Sequence, residues 1–191
     1  MIIAFDTYYY EGFSYTVGGV FETWNDEKVK YYITSKRECK EADYEPGEFY
    51  KRELPCIMQC LSMVNVAEIT SIIVDGYAWV VDEEGKAKPG LGKKLHDAIV
   101  EKYGLNISVV GVAKNRFSTK EDFPTNKEVM TCIEVLRGES EKPLYITCSH
   151  MGYTEHYATN IANMAGYYRI PDILKSVDGK TRDMHLVESE E

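Results

Sequence analysis

Residues 2–9, 13–23 and 28–34 are rich in β-branched and aromatic side chains and are separated by Glu11-Gly12 and Asn25-Asp26. Such residues suit a pleated, half-buried surface, and the brief polar breaks leave room only for tight connections, so the three runs predict an antiparallel meander. A polar stretch from about Ser35 to Asp43 leads to Pro46-Gly47. After it, Leu54, Ile57, Met58, Leu61 and Val64 recur at helical spacing, predicting a helix over 49–65. Pro55 falls in an early turn of that helix, where its missing N–H costs least. The apolar run 69–75, closed by Gly76, predicts a buried strand, and the polar excursion 81–90 a mobile surface loop. Residues 91–103 predict a helix with Leu95, Ala98 and Ile99 inward, followed by a strand over 107–113. Beyond a loop at 115–127, residues 128–136 and 143–147 predict a hairpin turning at Arg137-Gly138-Glu139-Ser140. A helix is expected over 154–168 with Thr154 as its N-cap, then a short helix from 171 to about 177 with Asp178 near its end. Residues 184–191, acidic and poor in apolar side chains, are expected to be a disordered tail.

A meander followed by strand–helix alternation argues for an α/β protein with a mixed sheet flanked by helices. At 191 residues the chain suits one domain, expected over 1–183, with a full hydrophobic core. No internal repeat, low-complexity segment or linker divides it.

Composition narrows the functional classes. Hydrophobic residues make up 44% and charged residues 28%, as in ordinary globular proteins, although 15 tyrosines is a high count. A net charge of −9 argues against a protein that grips nucleic acid mainly through phosphates, which would carry a basic footprint. It leaves room for a nuclease, whose acidic metal site adds negative charge of its own. No opening segment reads as a signal peptide and no run is long and apolar enough to span a bilayer, so a cytoplasmic protein without membrane contact is expected. The five cysteines, Cys39, Cys56, Cys60, Cys132 and Cys148, lack paired C-x-x-C spacing. Cys56 and Cys60 stand four apart on a helix, where two thiolates could meet one metal; the commoner reading is buried core thiols.

The candidate chemistry lies at the ends of the predicted elements. Asp6 interrupts an apolar opening strand, where a carboxylate is costly to bury without a partner or a metal. Asp75 ends Ile72-Ile73-Val74, Lys114 closes Val109-Val110-Gly111-Val112-Ala113, and Glu53 sits one helical turn past Pro46-Gly47. Parallel sheets deliver functional side chains at the carboxyl ends of their strands, so these residues suggest one converging metal site. With Asp178 from the last helix, the distribution resembles that of ribonuclease-H-like nucleases, in which four acids gather two hard cations. Mg²⁺, or Mn²⁺, suits such oxygen donors and retains waters, one of which can become a nucleophile. Taken singly, each acid also fits an ordinary turn or helix cap.

Several segments, in order from Ile3 to Asp178, resemble endonuclease V. Asp6-Thr7-Tyr8-Tyr9 is similar to the family's D-x-x-Y strand, and Tyr44-Glu45-Pro46-Gly47-Glu48-Phe49-Tyr50-Lys51-Arg52-Glu53 to its Y-x-P-G-x-x-x-x-R-E segment. Val74-Asp75-Gly76 and Gly111-Val112-Ala113-Lys114 resemble V-D-G and G-V-A-K. Pro143-Leu144-Tyr145 with Ser149-His150, and Arg169-Ile170-Pro171-Asp172 ending at Asp178, resemble two later segments. The resemblance implies a ribonuclease-H-like fold and cleavage of DNA or RNA near a deaminated purine such as inosine. It further implies that Asp6, Glu53, Asp75 and Asp178 are metal-site residues and that Lys114 contacts the scissile phosphate. Tyr44 matches the aromatic wedge that parts the strands, though packing among many tyrosines explains it equally. Gly47 and Gly76 match backbone positions lining the pocket for the extruded base.

The chain departs from the family pattern as well. Family members read D-G-H-G, followed by H-P-R; here Asp75-Gly76-Tyr77-Ala78-Trp79 precedes an insertion, and Asp43 and Glu45 flank Tyr44. A weak or altered preference for inosine is therefore expected. His150 offers a base or a phosphate ligand, with a structural histidine as the commoner alternative. Tyr8-Tyr9-Tyr10 and Tyr167-Tyr168 could stack bases or simply pack. The alternative to a metal-dependent endonuclease is a non-catalytic relative that binds nucleic acid or a nucleotide, or a nuclease with another substrate.

Overall fold

A computed structural model describes residues 1–39, 50–82, 84–117 and 131–188. Its strands are β1 (Ile2–Tyr10), β2 (Phe13–Phe21), β3 (Tyr31–Glu38), β4 (Ser71–Asp75), β5 (Trp79–Val81), β6 (Ala87–Pro89), β7 (Ser108–Ala113), β8 (Ile133–Val135) and β9 (Leu144–Cys148). The α-helices are α1 (Tyr50–Leu61), α2 (Leu91–Tyr103), α3 (Thr154–Asn163) and α4 (Asp172–Glu188). Seven strands form one sheet in the order β3-β2-β1-β4-β7-β9-β8, while β5 and β6 pair separately. β1, β4 and β7 are mutually parallel and the other pairings are antiparallel, so the sheet is mixed, as the pattern predicts.

The alternation of side chains along the three central strands explains the two layers of helix. Ile2, Ala4, Ile73, Val110 and Val112 face α3 and α4, and share a core with Tyr157, Ile161, Ile173 and Val177. Ile3, Phe5, Ile72, Val74 and Val109 face α1 and α2, and pack on Ile57, Leu61, Leu95 and Ile99. Strands covered on both faces read as unbroken apolar runs, which is what made them legible.

Several elements depart from expectation. β3 runs on through Ser35–Glu38 because β2 offers it partners as far as the Phe13↔Glu38 pair, and an edge strand tolerates polar side chains. The excursion expected to be a mobile loop contains the β5–β6 hairpin, turned by Asp82: its carboxylate accepts the N–H groups of Glu84 and Lys86 at 2.9 and 2.8 Å. α3 stops at Asn163, and Thr154 is its first residue, the hydroxyl donating to the Met151 carbonyl at 2.8 Å instead of capping. α4 continues to Glu188, past Asp178-Gly179 and through residues expected to begin a tail, because Ile173, Val177, Thr181 and Met184 keep a helical face on the sheet. Cys56 and Cys60 are buried core thiols. Among the described residues no helix is long and apolar enough to cross a membrane.

One buried charge organises the connection from α3 to α4. Arg137, 5% exposed, donates to the carbonyls of Met164, Gly166 (3.1 Å), Tyr168 (3.1 Å), Ala162 (3.4 Å) and Arg169 (3.4 Å). Burial lowers its pKa, opposed by Asp172. Arg137→Met keeps the bulk and removes every donor, stranding these carbonyls. The expected loss is about 2–4 kcal/mol in urea unfolding; a loss under ~1 kcal/mol would mean that water satisfies the carbonyls instead.

Candidate metal centre

The three parallel strands end at one edge of the sheet. Asp6 continues the Ile2, Ala4 face of β1, Asp75 the Ile73 face of β4, and Lys114 follows β7 on the Val110, Val112 face, so all three point toward α4. Lys114 Nζ lies 3.3 Å from Asp75 Oδ2. Asp6 Oδ1 accepts the Thr7 N–H at 2.8 Å, and Asp178 on the overlying helix stands close enough to its carboxyl to help raise its pKa. Arg182, one turn further along α4, approaches Asp178 at 3.4 Å. Glu53 arrives from the opposite layer, on α1, and shares with Asp6 and Asp75 a crevice over the strand ends. Its Oε1 accepts the Tyr9 hydroxyl at 3.3 Å, and the Arg52 guanidinium lies 4.0 Å from the centre of the Tyr9 ring.

These contacts leave negative charge uncompensated. Burial, reinforced by Asp75, pushes the Asp6 carboxyl up to about 7, while the Thr7 N–H and Lys114 pull the other way. Burial, then Asp75 and Asp6, push Glu53 up to about 8 against the Tyr9 hydroxyl and Arg52. Burial alone would lower Lys114, but Asp75 and Asp6 outweigh it and raise the ammonium. The donor set is therefore all oxygen and short of positive charge, a combination that fits a hard divalent cation in place of the protons. Among the described residues, no three His, Cys, Asp or Glu side chains are grouped closely enough to hold one ion as they stand.

The loops around the edge are pinned from behind. Gly76 takes φ +119°, open to glycine, and its N–H bonds the Val112 carbonyl at 3.1 Å. A Cβ at Gly111 would stand 2.5 Å from Ala78 N and 2.6 Å from Gly76 O, so residues 76–78 lie directly on β7 only because that position has no side chain. Tyr77, where the family pattern has histidine, donates to the Asn115 carbonyl at 2.7 Å and meets Phe117 edge-on at 5.6 Å. Arg169 bonds the carbonyls of Pro143 (2.8 Å), Lys142 (3.0 Å) and Lys114.

Thus Asp6, Glu53, Asp75, Lys114 and Asp178 come together, with Gly76 beside them. His150 does not join them. It follows β9 at the far end of β7, its Nδ1 3.3 Å from Ser108 Oγ and its ring 4.7 Å from His96, and burial lowers its pKa, with His96 and Lys93 adding to the effect. Ser108 is six strand steps of ~3.3 Å from Lys114, a placement that fits a structural histidine. Tyr44 and Gly47 lie outside the described residues. Tyr9 and Arg182 hold two of the acids and Arg169 holds the Lys114 backbone, roles that residue type did not single out. Tyr9 and Arg169 stand inside two of the resembling segments, but Arg182 carries no motif and was detectable only as a basic residue one turn after Asp178.

A mixed sheet with helices on both faces and carboxylates gathered at the ends of its parallel strands defines the ribonuclease-H-like class of fold. Within that class the chain has the fold of endonuclease V. It is similar to Ciona intestinalis endonuclease V in complex with a 23mer DNA containing an inosine followed by a ribo-adenosine, with TM-score 0.72 and 19% identity, covering 100% of this chain and 86% of that one. The catalytic domain of human endonuclease V aligns with TM-score 0.69 and 17% identity, over 98% and 82% of the two chains. The Bacillus subtilis protein aligns with TM-score 0.68 and 14% identity, over 99% and 81%. No family model and no curated protein sequence matches the chain.

The raised carboxyls set the pH dependence. Both groups ionise near 4 when unfolded, and near 7 and 8 when folded. The folded state therefore binds more protons across that window, and the metal-free protein loses stability as pH rises through it. A thermal melt in chelator is expected to fall between pH 5 and pH 8. Mg²⁺ is expected to raise the melting temperature more at pH 8 than at pH 5, with proton release on binding measurable by calorimetry in buffers of different ionisation heat. A flat profile without metal would mean that the carboxyls are not strained against one another.

Proposed function

We propose that the protein is a divalent-metal-dependent endonuclease that hydrolyses a phosphodiester bond in DNA or RNA. The observation that carries this reading is the convergence of Asp6, Glu53, Asp75 and Asp178, from four separate elements, with Lys114 at one open sheet edge. The fold it shares with endonuclease V supports the reading. Mg²⁺ or Mn²⁺ held by the four acids would supply charge to the phosphate and a water of lowered pKa. Asp6 and Glu53 would have to be ionised to serve as ligands, and Tyr9 keeps Glu53 aimed at the crevice. Lys114 is placed to meet charge that develops on a phosphoryl oxygen. Arg169 holds its backbone, so that the ammonium swings from Asp75 to substrate about a fixed point. The five free cysteines accord with a reducing, cytoplasmic setting.

Asp75→Asn removes a charged ligand while keeping its shape, and Lys114→Ala removes the phosphate contact. Each is expected to lower cleavage ~10²–10³-fold with the fold retained by circular dichroism. Full activity of either variant on a substrate cut by the wild type would place the reaction elsewhere, and failure of the wild type to cut any strand with Mg²⁺ or Mn²⁺ would favour a binding role.

Base selection is a separate matter. Tyr77 is engaged with residues 115–117, so no imidazole stands beside Gly76 to read a purine. We expect little discrimination between inosine and unmodified strands, and faster cleavage of single strands, where unstacking costs less. Cleavage of matched oligonucleotides in one salt condition checks this; a large preference for inosine in a duplex would contradict it.

A further inference from the structure

On the α4 side of the same edge the fold leaves a cavity of about 220 Å³. Its floor is Ala4, Ile73 and Val112 from the three parallel strands, and its wall is Ile170, just before α4, with Leu174 and Val177 from the first turns of that helix. Its charged rim is Asp6, Asp75, Asp178, Lys114 and Lys175, with the Lys114 ammonium 3.3 Å from the Asp75 carboxylate. Aliphatic walls opening onto a polar, charged rim are the mark of a ligand site rather than of a packing fault. The volume falls below the ~300–1,000 Å³ of pockets for drug-sized molecules and suits a single flat heterocycle.

We propose that this cavity receives the base of the nucleotide adjoining the cleaved phosphate. The proposal rests on the endonuclease reading above and adds a subsite to it. The mouth shares three of the four acids and Lys114 with the hydrolytic edge, so whatever enters is held within one nucleotide of the bond that reacts. A free anion would be repelled by Asp6, Asp75 and Asp178, whereas a base tethered to a strand arrives with its charge already placed on phosphates outside. Lys175, its ammonium 4.8 Å from the centre of the exposed Tyr168 ring, and Lys114 give those phosphates two cations at the rim. The aliphatic walls contact faces and edges of a base by shape alone, which tolerates any of the four. This subsite is distinct from the Gly76 loop: a Cβ at Gly111, where residues 76–78 rest, would share the Val109 face that packs on α2, on the other side of the sheet.

The test is an abasic scan. Strands carrying one abasic nucleotide at each position around the cut are compared with the intact strand under steady-state conditions. Loss of the adjoining base is expected to raise KM roughly 10-fold with little change in kcat, and Leu174→Trp, which fills the cavity, to raise KM for the intact strand and erase the difference. Because that substitution could disturb folding, a second measurement uses 2-aminopurine in strands bound to Asp75→Asn protein. Its emission is expected to rise when the probe adjoins the cut and to stay flat two or more nucleotides away. Cleavage with equal KM for every abasic strand, or emission independent of position, overturns the subsite alone. If the wild type cleaves no strand at all, the endonuclease reading falls and the subsite falls with it.

Discussion

Four carboxylates brought to one edge of the sheet, with Arg52, Lys114 and Arg182 close by, set the terms for everything there. Parallel pairing of β1, β4 and β7 places Asp6, Asp75 and Lys114 at successive strand ends, and no side-chain adjustment can separate them without breaking the register. Glu53 and Asp178 are then brought in by helices from opposite layers. Mutual repulsion and burial keep protons on Asp6 and Glu53 near neutral pH, so the edge is a place where the fold stores unfavourable energy instead of releasing it. The surrounding interactions answer that strain: Tyr9 on Glu53, Arg182 on Asp178, Lys114 on Asp75.

Much of this was legible in the chain because the central strands are buried on both faces and so appear as apolar runs whose ends are easy to see. An aspartate within Ile2-Ile3-Ala4-Phe5 and another after Ile72-Ile73-Val74 stand out against such a background. What escaped the pattern depends on partners distant in sequence. β3 could not be extended through Lys36-Arg37-Glu38 without knowing that β2 lay alongside, and α4 could not be followed past Gly179 without knowing that Thr181 and Met184 had a sheet to face. His150 shows the opposite failure. A histidine after a strand looks available, but β9 runs antiparallel to β7, and direction along the sheet carried it to the wrong end.

On the proposed reading, the acidic character of the whole molecule, −9 in net charge, would confine contact with nucleic acid to one place and repel it elsewhere. Lysines at the rim, Lys114 and Lys175, lie beside acids, so the local field depends strongly on whether cations occupy the carboxylate edge. On the proposed reading, metal and strand would be coupled, each lessening the electrostatic cost of the other.

Arg169 joins parts that are far apart along the chain. One guanidinium holds the carbonyl of Lys114, where the chain leaves β7, and those of Lys142 and Pro143, where it returns to begin β9. The excursion between is closed at its base by this clamp, so the geometry of Lys114 is insulated from its length. Closing a longer loop adds only ~0.6 kcal/mol for each doubling. A change in the length of the excursion is therefore cheap in chain entropy and reaches Lys114 only through β7 and this clamp.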